Sequence, residues 1–272
     1  MLTRREKLRK ALKTLRRTLR KRAQPAKPVF ILGEMRSGTN MLADCFDNSP
    51  DADVYHETDD DAFVDYELKD DAEIRRLVAR SNGSHAVFKS IADSNRADEL
   101  LAQHAGSRAI WIYRRYQDAV NSAMEKWSQH NEYLRLVLED PERARWRRRN
   151  LSDGDLALIR SHYERRLSEP SARALIWYIR NRVFFNLSLQ SRAEVMLINY
   201  EELVTSPRQH LRAAFDFVGL PFQDRFFEHV STASIRKEAE PAIDSQVTRL
   251  CDELMEQFRS VLRREEARTA NA

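Results

Sequence analysis

The sequence predicts an α/β fold, a parallel sheet flanked by helices on both faces, with a helical insertion beside it. Three observations carry this. Short apolar runs alternate with amphipathic helical patterns between residues 28 and 127. A glycine-bearing turn separates the first run from the first helix. Residues 128–190 then lack any strand signal before one more apolar run at 195–199. Strands that alternate with helices need crossover connections, and a parallel sheet provides them.

The elements follow in chain order. Residues 1–24 hold eleven Lys or Arg against Glu6, a net +10, so the rest of a chain of formal charge +4 sums to −6. Leu8, Leu12, Leu15 and Leu19 recur at helical spacing, which describes a basic amphipathic helical tail. Such a tail suits a membrane surface or a polyanion, and equally a solvated extension packing one thin stripe. Pro25 and Pro28 break the pattern and open one α/β domain over 25–272. Strands are expected at 29–32, 52–55, 86–89, 109–113 and 195–199. Helices are expected around 39–46, 72–80, 97–104 and 117–127. Within the insertion, Ser152 or Asp153 caps a helix over 155–168 and Pro170 restarts another. A helix over 208–218 ends at Gly219 and Pro221.

Composition excludes several classes. No apolar run approaches the roughly 20 residues that span a bilayer. The basic N-terminus has no apolar core of a secretory signal, which points to the cytoplasm, with peripheral membrane contact through 1–24 as a further expectation. Cys45 and Cys251 are too few for a disulfide framework, and the seven His residues show no metal-ligand spacing, so no metal is expected. The acidic balance of 25–272 argues against nucleic acid as a partner. Oligomeric state leaves no trace in the sequence.

In open parallel sheets ligands bind beyond the carboxyl ends of the strands. That rule selects residues 33–40, His56 and Glu57, Lys89 and Ser90, and 114–122. Gly33-Glu34-Met35-Arg36-Ser37-Gly38 has the glycine spacing of a nucleotide phosphate loop, so the sandwich is P-loop-like. A kinase or NTPase would follow Gly38 with Lys and a magnesium-binding hydroxyl; Thr39 and Asn40 stand there instead. What remains is a cradle of backbone N–H groups, the Ser37 and Thr39 hydroxyls and the Arg36 guanidinium, suited to a phosphate or sulfate. A second cradle follows the fourth run, where Arg114 ends the strand and Ser122 lies eight residues on, inside the next helix.

The two cradles in this order resemble the sulfotransferases that use 3′-phosphoadenosine 5′-phosphosulfate (PAPS). Arg36-Ser37-Gly38-Thr39 resembles their 5′-phosphosulfate loop, and Arg114 with Ser122 resembles their 3′-phosphate pair. Residues 195–203, Pro207 and 217–221 resemble their late strand and helix. The resemblance implies PAPS as donor and Arg36–Asn40, Arg114 and Ser122 as its binding residues. It further implies Tyr200 against adenine and Arg236 in a late segment folded over the nucleotide. Members of one branch carry a catalytic histidine two residues after a strand-end lysine. Lys89 fits that lysine, but Ile91 occupies the histidine position. A carboxylate at the end of the second strand is similar to the general base of another, bacterial-type branch, which gives Glu57 as base and His56 as its alternative or orienting partner. Arg36 and Lys89 are then the charges for the leaving phosphate.

The acceptor is expected to be a small molecule or carbohydrate hydroxyl or amine, and the 128–190 insertion to shape its pocket; Arg143, Arg145 and Arg147–Arg149 suit an anionic sugar or glycolipid, and equally an exposed helix face. Two other functions compete: a P-loop nucleotide kinase or NTPase, and a non-catalytic polyanion or membrane-surface binder that uses the tail and these arginines.

Overall fold

The computed structural model describes residues 25–270, and the basic tail over 1–24 lies outside them. Strand β1 (Lys27–Gly33) is buried from Pro28 onward, as a central strand covered on both faces must be. Helix α1 (Thr39–Asp47) follows, then β2 (Ala52–Tyr55), β3 (Phe63–Val64), β4 (Glu67–Leu68), α2 (Asp71–Arg80), β5 (His85–Lys89), α3 (Ala97–Gln103), β6 (Arg108–Tyr113) and α4 (Tyr116–Met124). The strandless stretch holds α5 (His130–Glu139), α6 (Pro141–Ala144), α7 (Asp153–Tyr163) and α8 (Glu169–Asn186). Strand β7 (Val195–Asn199) and helices α9 (Tyr200–Thr205), α10 (Pro207–Val218) and α11 (Ser245–Ala270) close the described chain.

The main sheet runs β2-β5-β1-β6-β7, with every pairing parallel. The chain leaves β1 toward the β2 edge, returns through β5, and crosses to β6 on the other side of β1. The order therefore reverses beside β1, where a crevice opens at the strand ends. Register aligns those ends: Ile31 lies opposite Lys89, Gly33 opposite Ile112, and Tyr113 opposite Asn199.

Alternation along the strands divides the core in two. Phe30, Leu32, Phe88, Trp111 and Tyr113 face one side, where α2, α3, α4, α8 and α11 pack. Val29, Ile31, Val87, Ile110, Ile112 and Ile198 face the other, under Leu42 and Phe46 of α1, Leu203 of α9 and Phe215 of α10. This is the three-layer sandwich expected from the sequence.

Three local outcomes differ from expectation. The helix expected over 155–168 stops at Tyr163, because the chain turns at Arg166, whose φ is 55°. Its start is as read: Ser152 accepts from Asp155 N and Asp155 returns a bond to Ser152 N. After Glu57 the chain folds back as the β3–β4 hairpin, turning at Asp65 and Tyr66 with φ of 50° and 70°. The third is α11, which seals the first core layer by stacking Phe258 on Tyr113 with ring centroids 4.2 Å apart. Burying that phenyl ring contributes about 2–3 kcal/mol.

Candidate active site

The β1–α1 turn is shaped by what surrounds it. Gly33 has φ 134°, and a Cβ there would lie 2.3 Å from the Ile112 carbonyl oxygen, so only glycine lets β6 approach so closely. Gly38 has φ 92° and caps α1, and the Tyr200 ring occupies the space that a Cβ would need, 2.2 Å away. The Ser94 hydroxyl bonds both Gly33 N and Gly33 O at 3.0 Å. Between the glycines, Arg36 adopts the left-handed region at φ 68°. Ser37 is fully buried, and its Oγ has no hydrogen-bond partner among the described residues. A buried hydroxyl left this way at a helix N-terminus fits an anion's oxygen.

Beside this turn the end of β6 delivers Arg114, which is 6% exposed. Its Nη1 donates to Arg36 O at 3.2 Å and its Nη2 to Ser234 O at 2.5 Å. The Tyr200 ring lies under the guanidinium, 4.8 Å to the centroid, and the Tyr200 hydroxyl bonds Ser234 Oγ at 2.6 Å. Arg36 turns to the same place, its Nε and Nη2 donating to Ser122 Oγ at 2.9 and 2.8 Å. Thus Arg36, Arg114, Ser122, Tyr200 and the 234–236 segment, 200 residues apart in sequence at the extremes, converge. Arg236 N bonds Asp118 Oδ2 at 3.2 Å while its side chain stays exposed.

The electrostatics of this cluster are unbalanced. Burial first, and then the Arg114 guanidinium, hold Arg36 below the usual arginine range. Glu201 Oε1 stands 4.0 Å from Arg114 Nε, at the limit of an ion pair, and burial lifts the Glu201 carboxyl above its ordinary range. Two guanidiniums so arranged are stabilised by an anion between them.

A second group forms at the ends of β2 and β5. Lys89, 2% exposed, directs Nζ to Glu57 Oε2 at 2.7 Å and also to Asn40 Oδ1 on α1. Glu57 itself is a quarter exposed. His56 is half-buried beside it, its carbonyl accepting from Asp59 N at 2.8 Å in the turn that follows. Arg36 and Lys89, read together as leaving-group charges, thus face different partners: Arg36 meets Ser122, and Lys89 meets Glu57 and Asn40. Thr39, 3% exposed, opens α1, where its N–H belongs to the unpaired first turn. Ile91 is buried and apolar, so the strand-end histidine position holds no base.

Several residues around the site were not singled out by sequence reasoning. Glu34 is 3% exposed and pairs through Oε1 with Arg173 Nη1 at 2.8 Å and through Oε2 with Arg180 Nε at 3.2 Å. Both arginines are equally buried on α8. Trp177, on the same helix, donates its indole N–H to Arg114 O at 3.1 Å. The signal was present: two arginines seven apart within Ala172–Arg180, an otherwise largely apolar stretch of helix, must be paired if that helix is buried.

The arginines at 143–149 are largely engaged within the protein. Arg145 pairs with Asp65 at 2.7 Å and Glu67 at 2.8 Å, and Arg149 with Glu67 at 3.2 Å. Arg148 donates to Val137 O at 2.5 Å, and Arg147 lies over the Trp146 ring. Among the described residues no cluster of His, Cys, Asp or Glu is arranged to hold a metal, and no helix is long and apolar enough to cross a membrane.

Comparison with known proteins adds to this geometry. The profile of the sulfotransferase family matches residues 28–224. Among solved structures, the sulfotransferase domain from the curacin biosynthetic pathway is 15% identical with a TM-score of 0.51, covering 85% of this chain and 98% of that one. A sulfotransferase from Alicyclobacillus acidocaldarius is 20% identical with a TM-score of 0.47, covering 90% and 96%. A mouse sulfotransferase complexed with PAP is 14% identical with a TM-score of 0.47, covering 87% and 88%. The first of these is a likeness of fold. No curated protein sequence matches significantly.

Proposed function

The chain belongs to the sulfotransferase family, and from that premise we propose that it transfers a sulfuryl group from PAPS to a hydroxyl or amine acceptor. The observation that supports this donor is the pair of cradles at adjacent strand ends. The 36–39 turn, with the buried Ser37 hydroxyl and the α1 N-terminus, suits the 5′-phosphosulfate. Arg114 and Ser122 form the site for the 3′-phosphate, and Arg36, bonded to Ser122, belongs to the loop on the 5′ side. Tyr200, packed against Gly38 and under Arg114, is the residue for adenine, and Arg236 belongs to the segment closing above it.

In the transfer, the acceptor oxygen or nitrogen forms a bond to sulfur as the bond from sulfur to the bridging phosphate oxygen breaks. Glu57 takes the acceptor's proton, and Lys89 orients the Glu57 carboxylate through their 2.7 Å contact. Negative charge grows on the departing phosphate, and the loop N–H groups, Lys89 and Arg36 counter it. His56, adjacent in sequence and half-buried, is the alternative base. The arginines at 145 and 149 are paired with Asp65 and Glu67 within the protein, which favours a neutral acceptor such as a sugar hydroxyl over a strongly anionic one.

The test separates binding from turnover. Glu57→Gln is expected to bind 3′-phosphoadenosine 5′-phosphate within about twofold of wild type while losing at least about 10²-fold in transfer rate. A Glu57→Gln enzyme with full turnover, and a His56→Gln enzyme without it, would move the base to His56.

A further inference from the structure

Helix α8 reaches the ends of three strands at once. At the end of β1, Arg173 bonds Glu34 Oε1 at 2.8 Å and Met35 O at 3.2 Å. Beyond β5, Arg180 donates to Ile91 O at 2.7 Å while its Nε meets Glu34 Oε2 at 3.2 Å. At the end of β6, Trp177 bonds Arg114 O at 3.1 Å. Arg173, Trp177 and Arg180 fall on one face of the helix, at spacings of four and three. Each is at most 3% exposed. The Trp146 ring lies 4.8 Å from the Arg180 guanidinium and shields it from solvent.

The arrangement is costly unless it serves a purpose. Three charged groups are buried together, and exchanging such a group for apolar residues of like volume is often neutral or stabilising. Two guanidiniums share one carboxylate, so a positive charge is left over. The groups facing it are Glu34 on the loop, Arg36 beyond it, and His130 and Glu169 at the starts of α5 and α8. Glu169 is committed to the His130 and Asn131 main-chain N–H groups. The residual charge lies directly behind the loop whose N–H groups and buried Ser37 hydroxyl face the anion site.

We infer that Arg173 and Arg180 are positioning residues for the 36–39 anion loop, clamping Glu34 and the Met35 carbonyl from behind so that the loop holds its anion-binding geometry. This rests on the donor reading above and deepens it: the helical segment builds the donor site as well as the acceptor side. The clamp acts on the 5′ end of the donor and leaves the 3′-phosphate to Arg114 and Ser122.

Titration calorimetry with two partial ligands tests this in the full chain. Both ligands share the adenosine, but adenosine 5′-phosphosulfate carries only the anion for the loop and adenosine 3′-phosphate only the one for the Arg114 side. Arg173→Gln is expected to weaken the first by about tenfold or more and the second by less than about twofold. Arg173→Lys keeps the charge but cannot bridge Glu34 and Met35 O together, so it should lose about three- to tenfold on the first ligand alone. It carries the test if the Gln variant does not fold. Glu34→Gln discriminates clamp from field, because relieving the negative charge would tighten the 5′ ligand by field alone, whereas loss of the clamp weakens it. Equal losses on both ligands, or unchanged 5′ affinity in a folded variant, would overturn the inference. Wild-type protein that binds neither ligand would overturn the donor reading and this inference with it.

Discussion

Replacing Arg114 with Gln tests the 3′-phosphate cradle with a magnitude drawn from its contacts. The guanidinium is 6% exposed, so its bonds to a phosphate form in a poorly hydrated site. Charge-assisted bonds are each worth about 1.5–3 kcal/mol, but here Nη1 and Nη2 exchange carbonyl partners at Arg36 and Ser234 for phosphate oxygens. A net loss of about 3 kcal/mol follows, or about 10²-fold in Kd for 3′-phosphoadenosine 5′-phosphate. Adenosine 5′-phosphosulfate, which lacks the 3′-phosphate, should lose only about two- to threefold, through the Arg36 carbonyl that Arg114 supports. The same substitution removes two bonds to main-chain carbonyls, at about 1 kcal/mol each, so Tm should drop by several degrees, on the order of 4–8 °C. Calorimetry on both nucleotides reads the ratio of affinities. A ratio that does not change, with both ligands weakened alike, refutes the idea that Arg114 distinguishes the 3′-phosphate.

Three further outcomes follow from the same geometry. Gly33→Ala adds a Cβ 2.3 Å from the Ile112 carbonyl at φ 134°, a backbone-to-backbone clash that cannot relax, and should destabilise the fold by about 3 kcal/mol in urea unfolding. Lys89→Met should lower the rate of sulfuryl transfer by about 10²-fold with little change in nucleotide Kd, since it loses the contacts to Glu57 and Asn40; a matching loss in Kd would assign Lys89 to ground-state binding. His104 and His130 are both held below the ordinary histidine range, chiefly by burial. Their neutral forms are favoured in the folded state, so stability is complete above about pH 6.5 and falls as the pH drops through the folded values. Tm should therefore decline below about pH 6.5, and His104→Asn with His130→Asn should flatten that decline.

How much of this was legible in the sequence depends on the distance over which each signal acts. The five parallel strands and the glycine turn were readable because alternation and φ > 0 are local properties. The helices flanking them were placed to within a few residues for the same reason. Helix α11 carried a readable signal, Val247, Cys251, Leu254, Phe258 and Val261 at helical spacing, that was passed over. Convergence was less accessible. Ser234 meets Arg114 across 120 residues and Tyr200 across 34, and no local pattern announces that. The Glu34–Arg173–Arg180 cluster was hidden for a physical reason, since arginine on a helix ordinarily marks the solvent face. Only the apolar context of 172–179 contradicts that, and only if the helix is known to be buried. The side-chain directions of Arg36 and Lys89 also depend on tertiary partners, Ser122 in one case and Glu57 in the other.

Movement of sulfur from donor to acceptor is the direct test of the proposed reaction. Wild-type protein incubated with PAPS carrying labelled sulfur, chelator, and a panel of sugar, glycolipid, amine and phenol acceptors is expected to transfer label to at least one acceptor and to release 3′-phosphoadenosine 5′-phosphate in equal amount. Glu57→Gln should transfer none while still binding the nucleotide. Binding of magnesium ATP in place of the bisphosphate nucleotide, with no label moved to any acceptor, would contradict the assignment at its centre.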